Sequence, residues 1–198
     1  MNTSARASRS RASSLTPCGP DFSVHGSSPT SSHREHQQQA PQRARCVVIT
    51  CSDTRTRETD TSGVLVMDLL KAHGHEVVAY HLVKDDPAQI RTVIEEATRQ
   101  SAVQAIIING GTGISRRDST FEAVDGMLEK RLDGFGELFR YLTYQDIGSS
   151  AIMSRATAGV YRNRIVISTP GSEGAVRLAM EKLILPELPH MIQQITKE

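Results

Sequence analysis

From Arg45 onward the chain alternates blocks of apolar and polar residues with the two spacings that secondary structure imposes. Arg45-Cys46-Val47-Val48-Ile49-Thr50-Cys51 is a short, nearly continuous apolar run, the pattern of a strand buried on both faces. The polar stretch from Ser52 leads into Gly63–His73, where Val64, Met67 and Leu70 recur at helical spacing and Gly74 supplies a stop. His75–Val83 reads as a second strand. Asp86-Pro87 opens a helix, acid at the cap and proline in the first turn, that runs to about Gln100 with Ile90, Val93, Ile94 and Ala97 inward. Val103–Asn109 is a third strand. Phe121, Val124 and Leu128 predict a helix over 119–130, and two short helices are expected over 132–140 and 145–155. Arg164–Thr169 is a further strand. Gly174–Leu185 is a helix with Val176, Ala179, Met180, Leu183 and Ile184 on one face, broken by Pro186 and Pro189 before a last short helix.

Strands alternating with helices imply βαβ units joined by right-handed crossovers. The expected fold is an α/β three-layer αβα sandwich with a mostly parallel sheet. No internal repeat is visible. Residues 1–44 have a different texture, with ten of their positions Ser, a Gln37-Gln38-Gln39 tract and one aromatic, Phe22. Such a segment buries too little apolar area to offset its ordering entropy, so it reads as a disordered tail ahead of a domain over 45–198. An Arg- and Ser-rich transit peptide and a misassigned start are the alternatives.

Composition narrows the function. The 198 residues carry 38% hydrophobic content and a net charge of +1, which fits one ordinary domain and no polycationic role. The tail is basic, and the remainder mildly acidic. Trp is absent and Phe and Tyr are sparse, which argues against a base-stacking surface and so against nucleic acid. The apolar runs fall well short of the roughly 20 residues a membrane span needs. Cys18, Cys46 and Cys51 make no C-x-x-C pair, and the histidines form no ligand cluster, so a reducing cytoplasm without disulfides or structural zinc is expected. His73, His75 and His190 are expected to face solvent.

Ligands of open α/β sheets bind beyond the carboxyl ends of the strands. Three loops emerge there: 50–63, 109–120 and 169–174. In the second, Gly110, Gly111 and Gly113 permit positive φ and a close backbone approach, so successive N–H groups can form an anion nest. Thr112 and Ser115 add hydroxyls, and Arg116 and Arg117 could neutralise phosphate. Asp118 is out of place beside a phosphate unless a metal or a donor-rich group such as a pterin edge needs it; otherwise it caps the following helix. The dinucleotide fingerprint fails, because Arg116 stands where its last glycine belongs, and no Walker A pattern occurs. Ser172 in the third loop can meet a second anion or cap a helix. Ser52, Asp53, Thr54 and Asp60 are polar at the first strand end, with Asp60 or Thr61 able to cap a helix. Of Asp85 and Asp86, one caps and the other can reach the same edge. Glu137, Arg140, Ser154 and Arg155 have weaker claims.

NGGTGISRRDST, FGELFRYLTYQDIGSSAIMSRATAG and STPGSEGAVRLAMEKLILPEL, in this order, resemble the molybdenum cofactor biosynthesis protein B family, whose relatives include MogA and the gephyrin G domain. The similarity covers about residues 44–196. The resemblance implies a molybdopterin-binding fold assembled as trimers or hexamers. It also implies adenylylation of molybdopterin with Mg2+ and ATP ahead of molybdate insertion. By motif, Asp118 and Asp85 (or Asp86) become the functional acids and tentative Mg2+ ligands. Ser52, Asp53, Gly110, Gly111, Thr112, Gly113, Arg117, Thr120, Gly171 and Ser172 match ligand-contacting positions. FGELFR and SRA resemble segments that shape the pocket and subunit contacts. Glu173 departs from the pattern, since relatives carry proline or a small residue there. Expected partners are molybdopterin, ATP, further copies of the chain and other proteins of the cofactor's biosynthesis. A non-catalytic molybdopterin carrier or scaffold is the competing reading, and a nicotinamide oxidoreductase is disfavoured by the failed fingerprint.

Overall fold

Side chains along a strand alternate between the two faces of its sheet, and here both faces are apolar. In the computed structural model, which describes residues 43–197, strand β1 (Arg45–Cys51) sends Cys46 and Val48 to one side and Val47, Ile49 and Cys51 to the other. β3 (Ala105–Asn109) does the same with Ala105 and Ile107 against Ile106 and Ile108. Helices therefore cover both faces. α1 (Thr61–Ala72), α4 (Asp133–Ile147) and the C-terminal helix pack on the first face through Leu70, Phe139 and Met180. α2 (Pro87–Arg99) and α3 (Thr120–Asp125) pack on the second through Ile90, Ile94 and Val124. The result is the expected three-layer α/β sandwich.

β2 (Glu76–Val83), β4 (Lys130–Arg131), β5 (Thr157–Tyr161) and β6 (Arg164–Thr169) complete a six-stranded sheet of order β2-β1-β3-β6-β5-β4. The pairs β1–β2, β1–β3 and β3–β6 are parallel, whereas β5–β6 and β4–β5 are antiparallel. The antiparallel edge is absent from the sequence reading. β5 and β6 join through Arg162 and Asn163, both at positive φ (48° and 57°), the backbone that a tight two-residue hairpin requires.

Further expectations are corrected. The helix over 119–130 ends at Asp125, because Lys130 and Arg131 pair with Val160 and Gly159 as an edge strand. The two short helices are one long α4, along which Phe135, Phe139 and Thr143 form an unbroken buried stripe, followed by a 3-10 turn over Gly148–Met153. Pro186 and Pro189 do not break the last helix. α5 (Glu173–Ala179) runs through a π-helical segment, Met180–Ile184, into α6 (Leu185–Thr196). The altered register restarts the α pattern at Leu185, so Pro186 falls in a first turn, where its missing N–H is not needed. Val64 is exposed on α1, whose inward residues are Val66 and Leu70. His75 is buried, not solvent-facing: its Nδ1 accepts the Ala44 N–H at 3.2 Å, and burial holds its pKa below the ordinary histidine range. His190 is half-buried beside Glu187. Apart from Arg43 and Ala44, the tail over 1–44 lies outside the described residues.

Candidate functional site

The chain goes from β1 to β2 on one side and to β3 on the other, so the strand order reverses between β1 and β3. Adjacent loops diverge at such a point and leave a crevice. Here the crevice is a cleft of about 540 Å3 at the carboxyl ends of β1, β3 and β6. Ser52, Gly110 to Gly113, Asp118, Gly171 and Ser172 line it, together with Arg55 and, from the 3-10 turn, Ser150, Met153 and Ser154. The contributions of Arg55, Ser150 and Met153 are missing from the sequence reading, which offers Ser154 only as a weaker candidate. Asp85 and Thr120 stand behind the glycine loop, Asp53 accepts the Asp85 N–H at 3.3 Å, and Arg116 and Arg117 are exposed beyond the lining.

The loop after β3 can take its path only with glycine at its base. Gly110 has φ +100°, and a Cβ there would strike the Cys51 carbonyl. Gly111 has φ +58°, and a Cβ would collide with Thr120 and the Asp85 carboxylate. Arg155 holds the outer half. Its Nε donates to the Thr112 carbonyl at 2.9 Å, an Nη donates to the Gly113 carbonyl, and the guanidinium pairs with Glu122 and stacks 4.8 Å from the Phe121 ring centroid. A trans peptide points its C=O and N–H in opposite directions. Drawing the Thr112 and Gly113 carbonyls toward Arg155 therefore turns the Gly113 and Ile114 N–H groups the other way. The donation from Arg155, together with its charge, holds the Glu122 carboxyl below the usual range.

The acids divide their roles. Asp86 is the N-cap of α2, accepting the Gln89 N–H at 2.8 Å, so Asp85 is the one that meets the loop. Asp85 Oδ1 accepts from the Ser119 N–H (3.1 Å), Ser119 Oγ (2.9 Å) and Thr120 Oγ1 (3.2 Å), fixing the start of α3. Asp118 does not cap α3. Its Oδ2 accepts the Ser115 N–H at 2.9 Å, folding the carboxylate back across its own loop and into the cleft lining. Ser172 is the N-cap of α5, accepting the Ala175 N–H at 3.3 Å, and Glu173 next to it is exposed.

Beneath the first loop lies a buried network of which the sequence offers only the Asp60 cap. Asp60 caps α1 by accepting the Gly63 N–H at 3.0 Å, and it also accepts Tyr80 Oη at 2.6 Å and Arg55 Nη1 at 3.0 Å. Burial alone would raise the Asp60 carboxyl, but donors from Thr50, Tyr80, Gly63 and Arg55 hold it below the carboxylate range. Burial and the neighbouring Asp60 push Tyr80 up to about 12. Burial likewise pushes the Cys51 thiol up to about 12, so no thiolate is available at the cleft wall.

Donor chemistry suits Mg2+ only as a shared ion. Asp118 Oδ1 and Asp85 Oδ2 both stand outside the hydrogen bonds just described. Among the described residues no group of three or more His, Cys, Asp or Glu gathers around one point. An ion held here by one or two carboxylates would take its remaining ligands from phosphate oxygens and water, the usual arrangement for Mg2+.

Residues 47–190 match the family model described as a probable molybdopterin binding domain. Molybdenum cofactor biosynthesis protein B of Bacillus subtilis (strain 168) is 52% identical over 166 residues, covering 83% of this chain and 98% of its own. A crystal structure of a molybdenum cofactor biosynthesis protein B is 51% identical, covers 81% of this chain and 100% of its own, and superposes with a TM-score of 0.78. The tungsten cofactor synthesizing protein MoaB from Pyrococcus furiosus is 36% identical, covers 80% and 100% respectively, and has a TM-score of 0.72. With its three-layer fold, its glycine-walled cleft at the β1/β3 switch point and this degree of likeness, the chain belongs to the molybdenum cofactor biosynthesis protein B family.

Proposed function

We propose that the protein acts in molybdenum cofactor biosynthesis by transferring the adenylyl group of ATP to molybdopterin. The terminal phosphate oxygen of molybdopterin forms a bond to the α-phosphorus of ATP. The bond from that phosphorus to the oxygen bridging to the β-phosphate breaks, and pyrophosphate leaves. Such a transfer asks little covalent work of the protein; positioning and charge neutralisation do most of it. Asp118 is the observation that carries the reading. An acid in the wall of a glycine nest, tied to Ser115 and spared from capping α3, suits a bridging metal or a pterin edge rich in N–H donors. In this reading Asp118, in the cleft wall, and Asp85, behind the glycine loop, are the residues that would hold Mg2+, which would supply positive charge to the phosphates. The N–H groups of Gly111 to Gly113 receive an anion, while that of Gly110 is tied to the Thr169 carbonyl; Asp53 steadies Asp85, Thr120 braces the loop from behind, and Ser52, Gly171 and Ser172 frame the far wall. Arg117 enters only if the exposed part of its loop closes over the ligand.

The second reading is a non-catalytic molybdopterin carrier or scaffold. What favours it is the use of Asp85, whose Oδ1 is taken up by three donors that build α3. Incubating the pure protein with molybdopterin, Mg2+ and ATP separates the two. Adenylylated molybdopterin with one equivalent of pyrophosphate supports transfer; binding of molybdopterin without product leaves the carrier.

We propose further that the chain self-associates to a trimer or hexamer in the cytoplasm, in reach of other proteins of the same biosynthesis. Support comes from the outward row Leu138, Tyr141, Tyr144, Ile147 and Ile152 on α4 and the following turn, all exposed and apolar or aromatic. No helix among the described residues is long and apolar enough to cross a membrane. Sedimentation equilibrium tests the assembly: a mass of one chain at micromolar concentration would refute it.

A further inference from the structure

Among the described residues, Arg55 is the only Lys or Arg in the cleft lining. The arginines that the sequence offers for phosphate, Arg116 and Arg117, are exposed outside it. Arg55 is also held rigidly. Its Nη1 donates to Asp60 Oδ1 and its Nη2 to the Gly171 carbonyl, both at 3.0 Å, so two separate atoms of the guanidinium plane are pinned. The Asp60 side chain beneath it is fully buried, while Arg55 keeps 28% of its side-chain surface open.

Neither acceptor relies on Arg55 alone. The Gly171 carbonyl already takes Ser62 Oγ at 2.7 Å. Asp60 already takes the Gly63 N–H and Tyr80 Oη. Removing Arg55 would thus leave each acceptor with another donor, although the buried Asp60 carboxylate would lose its cationic partner, so the variants are first checked for an unchanged fold. A guanidinium carries five N–H donors, and those two bonds use one on each Nη, leaving the Nε–H and one N–H on each Nη. A cation fixed in this way gives up little rotamer freedom when an anion arrives.

We propose that Arg55 is a phosphate-binding residue of the cleft, gripping a phosphate of the bound ligand through the donors that Asp60 and Gly171 leave open. The assignment rests on the phosphoester reading of the cleft given above. The phosphate belongs either to the nucleotide or to the pterin, and the experiment distinguishes them.

Isothermal titration of the full chain with ATP, and separately with molybdopterin, is carried out for the wild type, Arg55→Gln, Arg55→Lys and Asp60→Asn. Arg55→Gln weakens one of the two ligands by about tenfold or more, as expected for loss of a charge-assisted contact, and that ligand identifies the phosphate. Arg55→Lys recovers part of the loss, since the charge remains without the fork. Asp60→Asn, which disturbs the anchor but keeps the cation, changes binding by less than about threefold. If Arg55→Gln leaves both ligands unchanged, or if Arg55→Gln and Asp60→Asn weaken binding equally, Arg55 is a structural tie and the proposal fails. Wild-type protein that yields no adenylylated product, while Arg55→Gln still loses phosphate binding, overturns adenylyl transfer and leaves Arg55 standing.

Discussion

Arg155→Ala tests whether the glycine loop is held in shape from outside the cleft. The substitution removes the donors to the Thr112 and Gly113 carbonyls, the pairing with Glu122 and the stacking on Phe121. A hydrogen bond from a charged donor contributes about 1.5–3 kcal/mol when buried. The Arg155 side chain is 25% exposed and Glu122 is 61% exposed, so the ion pair itself adds little and the carbonyl bonds dominate. With that screening, and without assuming additivity, the cost is about 2–3 kcal/mol. Each kcal/mol moves Tm by roughly 2–4 °C in a domain of this size, so a fall of about 4–12 °C is expected by calorimetry. Molybdopterin binding should weaken in parallel, because Arg155 sets the directions of the Gly113 and Ile114 N–H groups. Glu122→Gln is the control and should cost under about 1 kcal/mol. An Arg155→Ala protein that melts within about 1 °C of wild type with unchanged molybdopterin affinity would refute the clamp.

Two further outcomes follow from the same geometry. Gly111→Ala places a side chain at φ +58° against Thr120 and Asp85, so it should lose about 1–3 kcal/mol in urea unfolding and weaken ligand binding as well. Asp60 titrates lower in the folded protein than its ordinary value. The native state therefore binds fewer protons than the unfolded chain near the unfolded pKa of about 3.9. Its contribution is complete above that pH and is lost as pH falls through the folded value. Asp60→Asn should flatten the acid limb of the stability profile there, and an unchanged limb would contradict the assignment.

The parallel half of the sheet was legible because its strands are buried on both faces and so spell continuous apolar runs, as Val47 to Ile49 and Ile106 to Ile108 do. The antiparallel edge was not. Thr157-Ala158-Gly159-Val160-Tyr161 has small residues where a strand signal needs branched ones, and Gly159 is required because Lys130 of β4 passes directly over it. Helix α4 looked like two because its outward face carries Leu138, Tyr141, Tyr144 and Ile147, which blur the inward stripe of Phe135 and Phe139. Pro186 and Pro189 looked like breaks because a π-helical register change leaves no local signal. At the site, the glycines and the acids at strand ends could be read from position alone. Arg55 could not, and Arg155 could be offered only as a weak candidate, since they bond to carbonyls 116 and 42 residues away, partners that only the folded chain brings near.

The most direct test compares wild type and Asp118→Ala for adenylylated molybdopterin and pyrophosphate formed from molybdopterin, Mg2+ and ATP. Losing the bond to Ser115 should cost about 1 kcal/mol or less, so both proteins should be folded at assay temperature. Stoichiometric product from wild type and a loss of at least about 100-fold in rate for Asp118→Ala is the predicted result. Equal rates from the two proteins, or no product from wild type that binds both substrates, would contradict the account.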